Sequence, residues 1–154
     1  MRYSRVLTVC LLVVVAMALP ATASGSHSRV QAASSMLGKI NQVRSRHGLR
    51  PLHGSGSLNG SARRFAGSLM RRGVLAHRSS GVSAGSGFRR LGEALALISG
   101  RGPGVSTTVR MWLNSPSHRA VILTRSMNLV GVGMAKGRFH GHRATIWVVQ
   151  TGRR

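Results

Sequence analysis

Glu93 is the only acidic side chain in the sequence, which contains no Asp and a single Glu. Any chemistry that needs a carboxylate must therefore use Glu93. This excludes glycosidases that work with paired carboxylates and aspartic proteases. EF-hand calcium sites lack their acidic oxygen ligands, and phosphoryl transfer lacks the Asp that holds Mg²⁺. A Ser-His-Asp triad cannot form, and a Ser-His-Glu version would have to use Glu93. Ser115, three residues before His118, has the spacing of a nucleophile beside a base. Its neighbours Asn114 and Pro116 argue instead for a turn or cap. His140-x-His142 has the spacing of a metal pair but sits among turn-forming residues. No H-E-x-x-H signature is present. His27, His47 and His53 read as exposed.

The chain has 154 residues, one domain's worth. Residues 1–23 read as a Sec-type secretory signal. Arg2 and Arg5 form a basic start, Val6 to Leu19 an apolar stretch of 14 residues, and Ala21-Thr22-Ala23 a cleavage site. The apolar stretch is short for a bilayer span. Arg2 and Arg5 are not adjacent, so a twin-Arg route is not indicated. The mature chain is expected to start at Ser24, to be secreted into the periplasm or medium, and to carry no transmembrane segment. Cys10, the single cysteine, lies inside the signal. The mature chain thus has no disulfide, thiol nucleophile or cysteine ligand.

Lys plus Arg number 23, so the formal charge is 23 − 1 = +22. Removing Arg2 and Arg5 with the signal leaves 21 − 1 = +20. Such a charge destabilises the folded chain by self-repulsion and favours anionic partners: envelope polymers, acidic lipids or nucleic acid. The basic residues are dispersed rather than gathered in one run. They are 21 Arg against 2 Lys, a bias that GC-rich coding produces unaided. Nucleic acid is therefore not expected as a specific partner, and a non-specific nucleic-acid-binding cation, whose sequence-blind binding collapses steeply with salt, stands as a weaker alternative function.

The elements that must position these groups follow from periodicity. Ala32 to His47 is predicted as a helix through Met36, Leu37, Ile40 and Val43, ending at Gly48. A Gly/Ser link at 54–56 leads to a second helix, Leu58 to Arg72, capped by Ser57. Its inward stripe is Leu58, Ala62, Phe65, Ala66, Leu69 and Met70, with Arg63, Arg64, Arg71 and Arg72 on the wet side. Residues 79–87 have the composition of a flexible loop. Phe88 to Ile98 is apolar with a short helical look. Val105 to Leu113 is a helix anchored by Val109, Trp112 and Leu113, and Ser117 caps a last turn, His118 to Leu123. Leu129 to Ala135 and Ala144 to Thr151 alternate as strands, joined by a turn over Lys136 to Arg143. Helices first and strands last give an α+β domain.

The segment Trp112-Leu113-Asn114-Ser115-Pro116-Ser117-His118-Arg119-Ala120-Val121-Ile122-Leu123 resembles a bacterial CAP domain. CAP, or SCP, is the superfamily of cysteine-rich secretory, antigen 5 and pathogenesis-related proteins. Ile40-Asn41-x-x-Arg44-x-x-x-Gly48-Leu49-x-Pro51-Leu52 is similar to its opening helix and turn. Leu75-Ala76-His77 resembles the segment of its first histidine, and Leu91-Gly92-Glu93 its Gly-Glu motif. Val130 to Ala135 and Ile146 to Gln150 resemble its last strands. The resemblance implies a CAP domain over residues 34–152, after a flexible segment at 24–33. The implied fold is an α-β-α sandwich, a small antiparallel sheet flanked by helices. The family cleft holds two His and two acids. His77, Glu93 and His118 match three of these, while Ser115 stands at the fourth position and Ala94 where Asn usually follows Glu.

The resemblance implies ligand contacts at His77, Glu93, Asn114, Ser115 and His118. It also implies that His77 and His118 can bind Zn²⁺ or another divalent metal, with water or a carboxylate completing the shell. Two functions from different classes follow. One is a non-catalytic extracellular binding module for a lipid-like or anionic envelope ligand. The other is a metal-assisted hydrolase, in which Glu93 orients or deprotonates water. The missing second carboxylate tips the balance towards the binding module. A structural Glu93 would take hydrogen bonds from backbone donors or pair with an Arg. The surrounding cations should oppose protonation of nearby histidines.

Overall fold

A computed structural model describes residues 24–78, 87–100 and 104–154. The expected signal at 1–23, with Cys10, and nearly all of the expected loop at 79–87 lie outside the described residues. Helices are α1 (Ser24–Arg46), α2 (Gly56–Arg72), α3 (Val105–Leu113) and α4 (Pro116–Leu123). Strands are β1 (His53–Gly54), β2 (Arg90–Ser99), β3 (Leu129–Phe139) and β4 (His142–Arg153), in the sheet order β1-β3-β4-β2. Among the described residues no helix is long and apolar enough to cross a membrane.

Two apolar clusters fix the layers. On one face of the sheet, Met36 and Ile40 of α1, Val109 and Trp112 of α3 and Ile122 of α4 pack on Ala94, Ala96, Val130, Val132 and Val149. On the other, Ala62, Phe65, Ala66 and Leu69 of α2 pack on Leu95, Ile146 and Val148. The domain is thus an α+β sandwich of α1, α3 and α4, then the sheet, then α2. The α2 stripe is the one its periodicity predicted, and Arg63, Arg64, Arg71 and Arg72 are exposed.

Gly131 and Gly133 let α2 seat on β3. A Cβ at Gly131 would stand 2.1 Å from the Leu58 carbonyl carbon, and one at Gly133 would stand 2.2 Å from that of Ala62. The alternation of glycine with Val130, Val132 and Met134 therefore has a cause. One face of β3 meets a helix backbone and the other meets side chains.

Several expectations are corrected. The stretch Phe88 to Ile98, with its helical look, forms strand β2, paired antiparallel with β4 from Arg90↔Arg153 to Ser99↔Ala144. Helices cover both faces, so β2 is apolar on both, and strand alternation is lost. The sheet is mixed rather than purely antiparallel, because β1 pairs parallel with β3. The supposed link at 54–56 thereby supplies a strand residue. Residues 24–33, expected to be flexible, are helical, and Ala32 and Ala33 pack against the core.

The helix starts shift by two residues in a shared way. Ser55, not Ser57, is the cap of α2, and its side chain accepts from Leu58 N–H. Ser115, not Ser117, precedes α4, which begins with Pro116 at a position that needs no N–H donor. The β3–β4 turn shrinks from eight expected residues to His140-Gly141, with φ of 48° and 81°. Two positive φ values are what a two-residue hairpin turn requires.

Arg44, fully buried, ties α1 to the α4 end. It donates to the carbonyls of Arg50, Ile122, Thr124 and Met127 at 2.6–3.3 Å. Burial lowers its pKa from the ordinary arginine value. In a chain without spare carboxylates, backbone carbonyls at a helix C-terminus supply the negative field.

Candidate functional site

Glu93 lies on β2, one outer strand of the sheet. It shares a face with Leu95, the face that α2 covers. Its Oε1 accepts from His77 Nδ1 at 3.0 Å, and its Oε2 accepts from Gln150 Nε2 at 2.9 Å. A carboxylate only accepts, so Nδ1 of His77 carries a proton and donates it to this contact. Gln150 is directly opposite Glu93 in the β2–β4 register and fully buried. The Glu93 side chain is 7% exposed, whereas that of His77 is 56% exposed.

His77 follows α2, and His118 stands in the first turn of α4, in the opposite helical layer. Their rings meet across the β2 edge with centroids 6.0 Å apart and planes at 42°. The structure therefore brings together the three residues His77, Glu93 and His118. Burial first, and the neighbouring His77 second, lower the His118 pKa from its ordinary value. This agrees in direction with the expectation from charge, although desolvation is the larger cause.

The indole of Trp112 donates to Leu95 O at 2.8 Å, fastening α3 to the same strand. Trp112 and Trp147 are both core residues, as expected. Asn114 and Ser115 sit at the α3–α4 junction. Asn114 ends α3 through its backbone N–H, and Ser115 Oγ lies 3.3 Å from Ser117 Oγ. Among the described residues neither hydrogen-bonds to His77, Glu93 or His118. Ser115 is thus a helix-start residue rather than a hydroxyl activated by His118.

His140 is a turn residue whose Nε2 donates to Gly73 O at 2.8 Å, tying the hairpin to the end of α2. His27, His47 and His53 are exposed. Gln150 is the site residue that the sequence did not single out. Its signal was a lone amide closing an apolar alternating strand.

Two imidazoles are the free donors here, because Glu93 faces Nδ1 of His77 and the Gln150 amide. Among the described residues no group of three or more His, Cys, Asp and Glu side chains is placed to hold a metal ion. A catalytic zinc takes three protein ligands, so the donor set does not fit one.

The opposite edge of the sheet carries a groove of about 860 Å³ between α1 and α2, floored by β3. Val30, Leu37, Met70 and Met134 give it apolar walls, and Arg29, Arg63, Arg71 and Lys136 also line it.

By structure the chain is similar to an extracellular SCP-domain protein of Bacillus anthracis, with 20% identity and TM-score 0.67. That match covers 84% of this chain but only 42% of the Bacillus protein. An outer surface protein of Borrelia burgdorferi matches at 23% identity and TM-score 0.63, over 79% of this chain and 91% of that one. NaASP2, solved with Zn²⁺, matches at 12% identity and TM-score 0.57, over 79% and 78%. At these identities the likeness is one of fold. A comparison with curated protein sequences finds no match. The profile of the cysteine-rich secretory protein family, CAP, matches residues 37–151, which take in β1 to β3, all but the last two residues of β4, α2 to α4 and the His77–Glu93–His118 cluster. The chain belongs to the CAP family.

Proposed function

We propose that this CAP-domain protein is an extracellular, non-catalytic binding module for an anionic ligand of the cell envelope, a lipid headgroup or an acidic polymer. The observation that carries this reading is the position of Glu93. The chain's one acidic side chain is turned inward and held by His77 and Gln150. Every exposed ionised side chain among the described residues is therefore a cation. Fixed positive charge without interspersed acids attracts anionic surfaces and weakens with salt.

The same observation argues against a hydrolase. Glu93 Oε1 orients His77, and no second carboxylate stands by to move a proton. Glu93, His77 and His118 form a structural junction between the α2 layer, the sheet edge and α4. Export to the envelope is supported by the signal-like residues 1–23 and by the family's secreted character.

The reading is tested by cosedimentation with vesicles of phosphatidylglycerol or phosphatidylcholine, and with an acidic envelope polymer. Binding to the anionic vesicles or to the polymer, lost at high salt and absent from neutral vesicles, is the expected result. Indifference to vesicle charge, with no binding to the polymer, would overturn it.

A further inference from the structure

The two edges of the sheet are finished differently. At one edge β2 is fastened to α3 by Trp112. At the other, β1 pairs with only Leu129 and Val130 before the chain turns into α2. Asn128 O and Val130 O accept from the backbone N–H groups of His53 and Ser55. Val132 N–H donates to Asn59 Oδ1 at 2.9 Å. Asn128, just before β3, sends its own N–H to Gly152 O of β4, but within β3 the bonds of Val130 and Val132 identify the even-numbered residues as those whose main-chain groups face away from β4. By the same alternation the N–H and C=O of Met134 and Lys136 also face outward. Among the described residues, no turn, loop or cap hydrogen bond takes them. They lie along the floor of the groove between α1 and α2.

The chemistry of that groove selects an occupant. Its walls are apolar, and Val30 remains 62% exposed there. Its charged lining is Arg29, Arg63, Arg71 and Lys136, with no acid. An acyl chain would fill the walls but leave the peptide groups of Met134 and Lys136 unpaired. An extended peptide would pair them, place alternate side chains against the walls, and set acidic side chains among the cations.

We propose that the open edge of β3 binds an extended acidic segment of another protein by strand addition, in line with β1. The occupant pairs with the outward N–H and C=O groups of Met134 and Lys136, while Val132 N–H stays with Asn59. The helices α1 and α2 stand as walls, so the edge admits one strand and Lys136 guards it against sheet-to-sheet aggregation. This goes beyond the anionic-surface reading, because it needs backbone pairing in register and not charge alone.

The test titrates the purified protein with a capped peptide of alternating valine and glutamate. A second peptide has the same sequence and charge but carries N-methyl groups on the residues that face β3. Calorimetry gives affinities, and NMR follows the backbone amides. The expected result is binding that shifts the Met134 and Lys136 amides and slows their exchange. N-methylation should weaken it about ten-fold or more, through lost pairing, and Lys136→Glu should weaken binding of the unmodified peptide. Equal affinity for both peptides, shifts confined to another face, no effect of Lys136→Glu or no binding would each overturn the proposal. So would occupation of the groove by laurate while the peptide is refused. Vesicle binding by the same preparations reports separately on the anionic-surface reading.

Discussion

His77 Nδ1 and Glu93 Oε1 stand 3.0 Å apart, so the one acidic side chain of the chain orients an imidazole. That imidazole faces His118 across the edge of β2. The cluster joins both helical layers at an outer strand.

Replacing Glu93 by Gln keeps the shape and removes half of the acceptor capacity. Either His77 or Gln150 then faces an amide donor. The expected cost is about 1–2 kcal/mol of stability, read as a lowered Tm. Binding to anionic vesicles should be unchanged per folded molecule. A Tm equal to that of the parent would show that the Glu93 contacts contribute nothing.

His118 gives the protein an acid-side slope. Its folded pKa is lowered by burial and by His77. The unfolded chain therefore takes up this proton first as pH falls through the ordinary histidine value of about 6.5. Between that value and the lower folded one, the unfolded state binds more protons, so stability decreases as the pH is lowered. Above the window the contribution is constant. Urea unfolding across mildly acidic pH should show this slope in the parent and a flatter one in His118→Gln. The same slope in both would remove His118 as its source.

Arg44 supplies donors to four buried or part-buried carbonyls. Arg44→Met fills the volume but leaves those acceptors without donors, at a cost on the order of 3 kcal/mol. Arg44→Lys should recover part of this, because one ammonium cannot span the carbonyls that a guanidinium fork reaches. Denaturant midpoints of the three proteins should fall in the order Arg, Lys, Met. A Met variant as stable as the parent would contradict the account.

Two glycines should respond in opposite directions to alanine. Gly133→Ala forces a Cβ to within 2.2 Å of α2 backbone and should cost about 3 kcal/mol or prevent folding. Gly38→Ala meets nothing within 4 Å on exposed α1 and should gain about 0.5–1 kcal/mol from helix propensity. Circular-dichroism melts separate the two. A tolerated Gly133→Ala would mean that α2 does not seat on β3 as described.

The parts legible in the sequence are those where one face is buried and the other wet. The stripe of α2, with Phe65 and Leu69 in and Arg63 and Arg71 out, is such a case. So is the glycine alternation of β3. Strand β2 was not legible, because Leu95 and Ala96 are buried on opposite faces and the period vanishes. Both helix starts read two residues late, because each has a Ser-x-Ser pair and the first serine lies at the boundary. The candidate cluster was legible only through resemblance. His77, Glu93 and His118 are far apart in the chain, and no local spacing joins them. Gln150 was hidden for a different reason, since its role follows from the β2–β4 register and not from its own neighbours. The groove at β3 was equally hidden, because it arises from β1 stopping after two residues.

In the reading proposed above, the cationic surface binds anionic envelope ligands and the His77–Glu93–His118 junction is not catalytic machinery. The most direct test is cosedimentation with phosphatidylglycerol vesicles over a salt series, comparing the parent with a Glu93→Gln, His118→Ala double variant shown to be folded. Equal binding by both, decreasing along the same curve as salt rises, is the expected result. Loss of binding in the folded double variant alone would contradict it, and so would failure of either protein to bind at low salt.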